Sequence, residues 1–288
     1  MFTIALGFAT SLVYGFADFF GALGSKHIKP VVVTFWSGLS GLALLLTASM
    51  FMGADYTTNS ILCGVIGGIA SAFAMTCLYA ALAIGPISIL SPLSAVVMAI
   101  VPMIIGFAHG DRFSLWGWLA LGAILVAVVL VGFVPGEDVR LPSLKGLLLG
   151  IGAGVGMGAV LLALAAAPKD SGLASPAILR GVSASLLGLF MLVTLRRGRA
   201  KGSDSQRTKA VAKIWLAVMA TGFLDSSANV FFTIASRQGS LSVVSVLTAL
   251  YPLGTIILAR IFLKEKIAQS QMFGIVLALG ASAILAIV

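Results

Sequence analysis

The sequence predicts an all-α, polytopic membrane protein: ten transmembrane helices arranged as two inverted five-helix repeats. Three observations predict it. First, the 288-residue chain is 60% hydrophobic and 9% charged, with mean hydropathy +1.13. An ordinary soluble domain carries about 25% charged residues, so polar side chains here are too few to cover a soluble globule. Second, apolar runs long enough to cross about 30 Å of hydrocarbon recur along the chain, separated by short connections. Third, matched residues recur between the two halves at a fixed offset. The apolar content excludes disorder, and the absence of short alternating strands excludes a transmembrane barrel. The two cysteines, Cys63 and Cys77, fit no disulfide framework and no metal spacing, and are read as small apolar residues.

In chain order the spans fall near 3–23, 31–52, 60–84, 87–107, 115–134, 144–167, 173–195, 213–236, 241–262 and 269–288. Span 1 opens at Phe2 with no basic residue before it, which reads as a span and not a secretory peptide. Pro92 and Pro102 are expected to interrupt span 4 and Pro252 span 9, as helix breaks and gating candidates or as plain packing kinks. Each proline removes an N–H and frees a carbonyl one turn back, at Ser88, Met98 and Thr248. Span 6 has glycine at 150, 152, 154, 156 and 158. It follows no strand and has no lysine where a phosphate loop needs one, so it reads as a close-packing or sliding surface. The polar stretch 135–143 is a linker between a first repeat, 1–134, and a second, 144–288. The segment 196–213 is a basic loop inside the second repeat.

The halves align at an offset of 154. Ala81, Gly85, Ser88, Ser91, Leu93 and Ala95 then fall on Ala235, Gly239, Ser242, Ser245, Leu247 and Ala249, and Asp111-Arg112 on Glu265-Lys266. Earlier in the halves, Leu6-Gly7 and Gly15 match Leu149-Gly150 and Gly158. Because five is odd, two like halves must cross the membrane in opposite senses. That arrangement supports alternating access around a site near the midplane.

Net charge is +9, and the charges sit mostly between apolar runs, which points to topology control and away from nucleic-acid binding. The face bearing the connections 1–2, 3–4, 5–6, 7–8 and 9–10 is called the basic face. It holds 14 Lys and Arg against 3 on the opposite, terminal face, which carries both chain ends. The positive-inside rule then places the basic face in the cytoplasm and both termini outside.

Several stretches resemble the ten-helix EamA branch of the drug/metabolite transporter superfamily. They are Tyr14-Gly15-Phe16-Ala17-Asp18-Phe19, Ala81-Leu82-Ala83-Ile84-Gly85-Pro86 and Leu224-Asp225-Ser226-Ser227-Ala228-Asn229. With them go Leu247-Thr248-Ala249-Leu250-Tyr251-Pro252 and Leu263-Lys264-Glu265-Lys266. The resemblance covers about 3–134 and 144–288, and its most specific part is the segment joining spans 9 and 10. It implies secondary transport of small metabolites, most often export, with amino acids, nucleotide sugars and drugs among the cargo classes. It also implies cytoplasmic termini; here the charge distribution is followed instead.

Ionisable groups at midspan cost roughly 2.5–3.5 kcal/mol or more, so each needs a reason. Asp225 lies about 18 Å into span 8 and Arg180 about 10 Å into span 7 from the terminal face, by the helical rise. They read either as a structural pair fixing helix packing or as a proton or cation site tuned by the arginine. Asn229 is one turn from Asp225, placed to bind cargo or to satisfy the aspartate. Asp18, with Tyr14 one turn before it, is either solvated or a cavity group attracting cationic or zwitterionic cargo. At the matched positions of the other half stand Leu161 and Ser71, so the acids break the repeat. Arg237, at a span end, reads as snorkelling. The hydroxyls Ser88, Ser91 and Ser94 in span 4, and Ser242, Ser245 and Thr248 in span 9, mark cavity walls or plain kinks. Trp36, Tyr79 and Tyr251 are aromatic candidates for stacking cargo, or else core or lipid-facing side chains.

The function expected is secondary transport of small metabolites or drugs by alternating access, as an exporter of amino-acid-like or cationic, amphipathic cargo, in the plasma or inner membrane. A passive channel or lipid-handling protein is the alternative, though no filter sequence or ring of like charges stands out. An intramembrane aspartyl protease built on Asp18 and Asp225 is remote. No zinc His-Glu-x-x-His motif occurs and the only histidines, His27 and His109, lie in connections. No cofactor and no metal are implied. The partners expected are a small-molecule substrate, membrane lipid and a proton or other coupling cation, without nucleic acid, the chain acting as a monomer or homodimer.

Overall fold

The architecture is that of a computed structural model, which describes all residues except 1, 26, 29, 85–86, 133–142, 198–210, 259–260, 263–267 and 288. The first half comprises α1 (Phe2–Ser25), α2 (Pro30–Met52), α3 (Thr58–Ile84), α4 (Ile87–Ala108) and α5 (Leu115–Gly132). The second comprises α6 (Leu144–Ala166), α7 (Ala174–Arg197), α8 (Val211–Gln238), the short pair α9 (Leu241–Thr248) and α10 (Pro252–Leu258), and α11 (Gln269–Ile287). A single 3-10 turn, Lys169–Ser171, sits between α6 and α7. Apart from span 9, every helix ends within two residues of its predicted limits. The basic segment predicted over 196–213 is helical at both ends, since α7 runs to Arg197 and α8 starts at Val211. Among the described residues, six helices are by themselves long and apolar enough to cross a membrane. Large apolar side chains such as Trp116, Phe223 and Phe273 are exposed, an arrangement that hydrocarbon solvates and water does not.

Span 9 is two helices. Pro252 has no N–H to continue the ladder. The chain instead tightens to i→i−3 bonds: Leu250 N to Leu247 O at 3.1 Å, Tyr251 N to Thr248 O at 3.1 Å and Leu253 N to Leu250 O at 2.9 Å. The Thr248 carbonyl, expected to be free, therefore accepts from Tyr251. The other two prolines correct the expectation of a break: α4 runs unbroken through Pro92 and Pro102. Each proline deletes one rung while the rungs on either side hold. The carbonyl freed by Pro102, on Met98, faces Gly158 of α6, where a Cβ would come within 3.3 Å of it.

The glycines of α6 serve two neighbours. Gly150, Gly154 and Gly158 face α4 through Leu93, Val97 and Val101, whereas Gly152 and Gly156 face α3 through Phe73 and Ala74. A second close crossing joins α1 to the break in span 9. A side chain on Gly15 would overlap the Tyr251 carbonyl, Gly254 lies so close that its Cβ would be 3.0 Å from the Gly15 Cα, and Thr255 Oγ1 donates to Gly15 O at 3.0 Å. Small residues that admit such backbone approach are the usual means of packing helices where lipid supplies no hydrophobic drive.

Packing runs mainly between the halves. The first half's α1 lies on α8, as the second half's α6 lies on α3; α4 lies on α6, as α9 and α10 lie on α1; α2 lies on α8, as α7 lies on α3. The pairs α2–α7, α4–α9 and α5–α11 join equivalent elements directly. Exchanging the halves thus maps the main helix contacts onto themselves.

Connections at the terminal face are tied together. Ala54 and Gly172 form an antiparallel bridge, with Asp55 N donating to Ser171 O and Leu173 N to Gly53 O, each at 3.1 Å. Both turns use glycine with positive φ, 80° at Gly53 and 54° at Gly172, a region costly for other residues. Arg237 clamps the same connection, its Nη2 donating to Pro168 O at 3.0 Å and to Ser171 Oγ at 3.2 Å. Across the face, Asp111 Oδ2 accepts from Ser240 Oγ at 2.7 Å and from Ser242 Oγ at 2.6 Å, and so holds the start of α9 against the α4–α5 connection.

Candidate functional site

A cavity of about 60 Å³ lies at mid-height in the bundle. One side is polar. Tyr14 and Asp18 come from α1, Arg180 from α7, and Asp225 and Asn229 from α8. The i, i+4 spacing of Tyr14 and Asp18, and of Asp225 and Asn229, puts each pair on one helical face. Arg180 Nη2 pairs with Asp225 Oδ2, so the two groups that share a depth in the sequence do meet. Arg180 is 9% exposed, and a guanidinium that buried needs its carboxylate partner. Tyr14 Oη donates to Asn229 Oδ1 at 2.7 Å, and Asn229 Nδ2 donates to the Asp225 carbonyl at 3.0 Å. The asparagine side chain is therefore oriented at both ends by protein. Asp18 differs: it lines the cavity, is solvent-accessible, and has no ion-pair or hydrogen-bond partner among the described residues.

The other side is apolar. Met157, Val160 and Leu161 of α6 form it together with Ala74 and Met75 of α3, and Met98 of α4, Leu179 and Tyr251 complete the lining. Ser71 is its polar exception, accepting from Ser183 Oγ at 3.4 Å. The repeat explains the division. On the helix alignment used above, Met157 and Leu161 occupy the places of Tyr14 and Asp18, and Ser71 and Met75 those of Asp225 and Asn229. Equivalent positions of the two halves therefore face one cavity, polar from α1 and α8, apolar from α6 and α3.

Of the predicted site residues, Tyr14, Asp18, Arg180, Asp225, Asn229 and Tyr251 come together here. Trp36 does not: it is 41% exposed and packs edge-on against Trp215 at 5.7 Å. It lies outside the cavity lining, in an aromatic pair at the bundle surface. Ser245 and Thr248 are buried in helix packing outside the lining; Thr248 Oγ1 donates back to Val244 O at 2.8 Å, and Ser245 Oγ has no partner among the described residues. The side chains of Tyr79, Ser91 and Pro92 lie outside the described residues. Pro102 is buried in α4, and Pro252 marks the helix break beside the cavity-lining Tyr251. The apolar wall was missed because one methionine or leucine among so many carries no signal. Projecting Tyr14, Asp18, Asp225 and Asn229 through the repeat finds it.

An all-helical bundle with a lipid-facing surface, a two-fold contact pattern and a charged central cavity defines a multi-pass membrane protein of transporter type. The sequence profile of the EamA-like transporter family matches residues 1–133 and again 144–287; the chain belongs to this family of membrane transporters of small molecules. A search of curated proteins finds no match. A solved structure titled only "Crystal structure of protein" is 17% identical and superposes with a TM-score of 0.77 over 99% of this chain and 96% of its own length. At that identity the likeness speaks to the fold.

Proposed function

We propose that the protein is a secondary transporter working by alternating access, an exporter whose cargo is an amino-acid-like or a cationic, amphipathic small molecule. The observation that carries this reading is the central cavity, where Asp18 stands free beside the Arg180–Asp225 pair. A charge in the membrane interior without an internal partner is expensive unless water, cargo or a coupling ion reaches it. The two-fold contact pattern supports halves that cross the lipid in opposite senses and rock about their shared site. The hydrogen-bonded connections of the terminal face support a closed gate on that side. Cargo would then enter from the basic face, which the positive-inside rule puts in the cytoplasm of a plasma or inner membrane, with the termini outside. A cavity of about 60 Å³ is smaller than the roughly 300–1,000 Å³ of a drug-sized site, so loading needs the bundle to open.

Asp225 is committed to Arg180, which argues against a pair of acids sharing a proton as in an aspartyl protease. The membrane-lipid contact, proton or cation coupling, and monomeric or homodimeric state belong to the same reading. The test is uptake into proteoliposomes with and without an imposed proton gradient. Saturable, gradient-sensitive flux that shows counterflow is the expected outcome. Unitary current steps in planar bilayers would make the protein a channel and end the carrier reading.

A further inference from the structure

The cavity decides between the two cargo classes left open above. We propose that it is built for a small amphipathic monocation, an ammonium on an unbranched apolar body, held in one orientation with the ammonium on Asp18 and the body against the methionine wall. This deepens the transporter reading and rests on it. The first argument is charge. The lining holds two carboxylates and one guanidinium, and with Arg180 and Asp225 neutralising each other the remaining charge is that of Asp18. A monocation brings the occupied site to neutrality. A zwitterionic amino acid leaves the same charge uncompensated once the bundle closes over it, and an anion doubles it.

The second argument is the occupancy of the donors and acceptors. The guanidinium that would bind a cargo carboxylate already has its charge met by Asp225, with its Nε left without a partner among the described residues, and Tyr14 and Asn229 are hydrogen-bonded to each other. Asp18 is the one lining carboxylate without a cationic partner among the described residues. An ammonium has three donors and no acceptor, which suits such a partner. The third argument is the opposite wall. Met75, Met98 and Met157 face the cavity from three different helices. Thioether side chains are unbranched and adaptable, and fit apolar bodies of varied shape. Since the polar and apolar walls come from repeat-equivalent helices, an amphipathic cargo has one orientation that satisfies both.

The experiment measures binding by the purified protein in detergent at neutral pH, using four probes with the same six-carbon body: hexylammonium, norleucine, hexanoate and hexanol. Hexylammonium is expected to bind at least tenfold more tightly than each of the others. Asp18→Asn is expected to remove at least tenfold of that affinity, and Asp18→Glu to restore most of it, with a monodisperse, cooperatively melting preparation confirming each fold. Met75→Ser with Met157→Ser is expected to weaken hexylammonium and leave methylammonium unchanged. Norleucine binding as tightly as hexylammonium, unaltered cation binding in Asp18→Asn, or no binding of any probe to the wild type overturns the proposal. Binding in micelles needs no transport. A zwitterion preference would therefore sink this inference while leaving the carrier intact, and bound hexylammonium that shows no counterflow in vesicles would sink the carrier alone.

Discussion

Arg180 and Asp225 show how a single pair sets the terms for its surroundings. Each is a charge taken out of water, and each is tolerable because the other is there. Removing one partner of such a pair costs about 3–5 kcal/mol, whereas replacing both by apolar residues of similar volume is often neutral or stabilising. Arg180→Met is therefore expected to lower the melting temperature by several degrees, and Arg180→Met with Asp225→Leu to recover most of the loss. Thermal melting of the purified variants checks this. A double variant no more stable than the single one would mean that the pair is held for something other than mutual compensation. Asp18→Asn, in contrast, removes no internal bond and is expected to leave the melting temperature nearly unchanged. Both acids were legible in the sequence, because a carboxylate in an apolar run stands out. Their different situations were not, because pairing depends on which helices become neighbours.

At the scale of an element, the ninth span carries the most consequence. Its two short helices meet at a tightened turn, and that turn is pressed against Gly15 of α1. A proline inside a helix costs about 3 kcal/mol relative to alanine. Pro252→Ala gives back the missing N–H and removes the reason for the break. The variant is expected to melt higher and to transport more slowly, by about tenfold, which is about 1.4 kcal/mol in the limiting step. Flux and melting measured on one preparation test this; faster flux in the variant would show that the break does not serve movement. Helix limits were readable from hydropathy to within two residues because lipid imposes a length on every apolar run. Which proline would break its helix was not. Pro102 and Pro252 look alike in sequence, but the turn of α4 just before Pro102 (Val97, Met98 O and Val101) lies against Gly154 and Gly158 of α6, whereas Pro252 is followed by a crossing in which α1 and α10 nearly touch backbones.

Over the whole molecule, orientation and the two-fold relation are the properties that matter. If the basic face is cytoplasmic, epitope tags at either chain end will be reached by antibody on intact cells or spheroplasts without permeabilisation. Tags detected only after permeabilisation would reverse the direction of transport inferred here. The repeat was visible in the sequence as scattered matches around Ser88 and Ser242, yet its meaning lay in packing. Sequence identity between halves has decayed where the cavity is, since Asp18 faces Leu161 in the alignment and Asp225 faces Ser71. What survives is geometric: the same positions point inward from both halves.

The contacts that cross between halves have a consequence for how the chain is assembled. α1 rests on α8, α6 on α3, and α5 clasps α11, so each quintet finds most of its helix partners in the other. Neither is therefore expected to fold as a unit by itself, whatever its length. A chain cut between residues 133 and 142 and produced as two polypeptides should reassemble in the membrane and purify as a complex. Either fragment alone should be degraded, as an orphan whose glycine-lined grooves have nothing to receive.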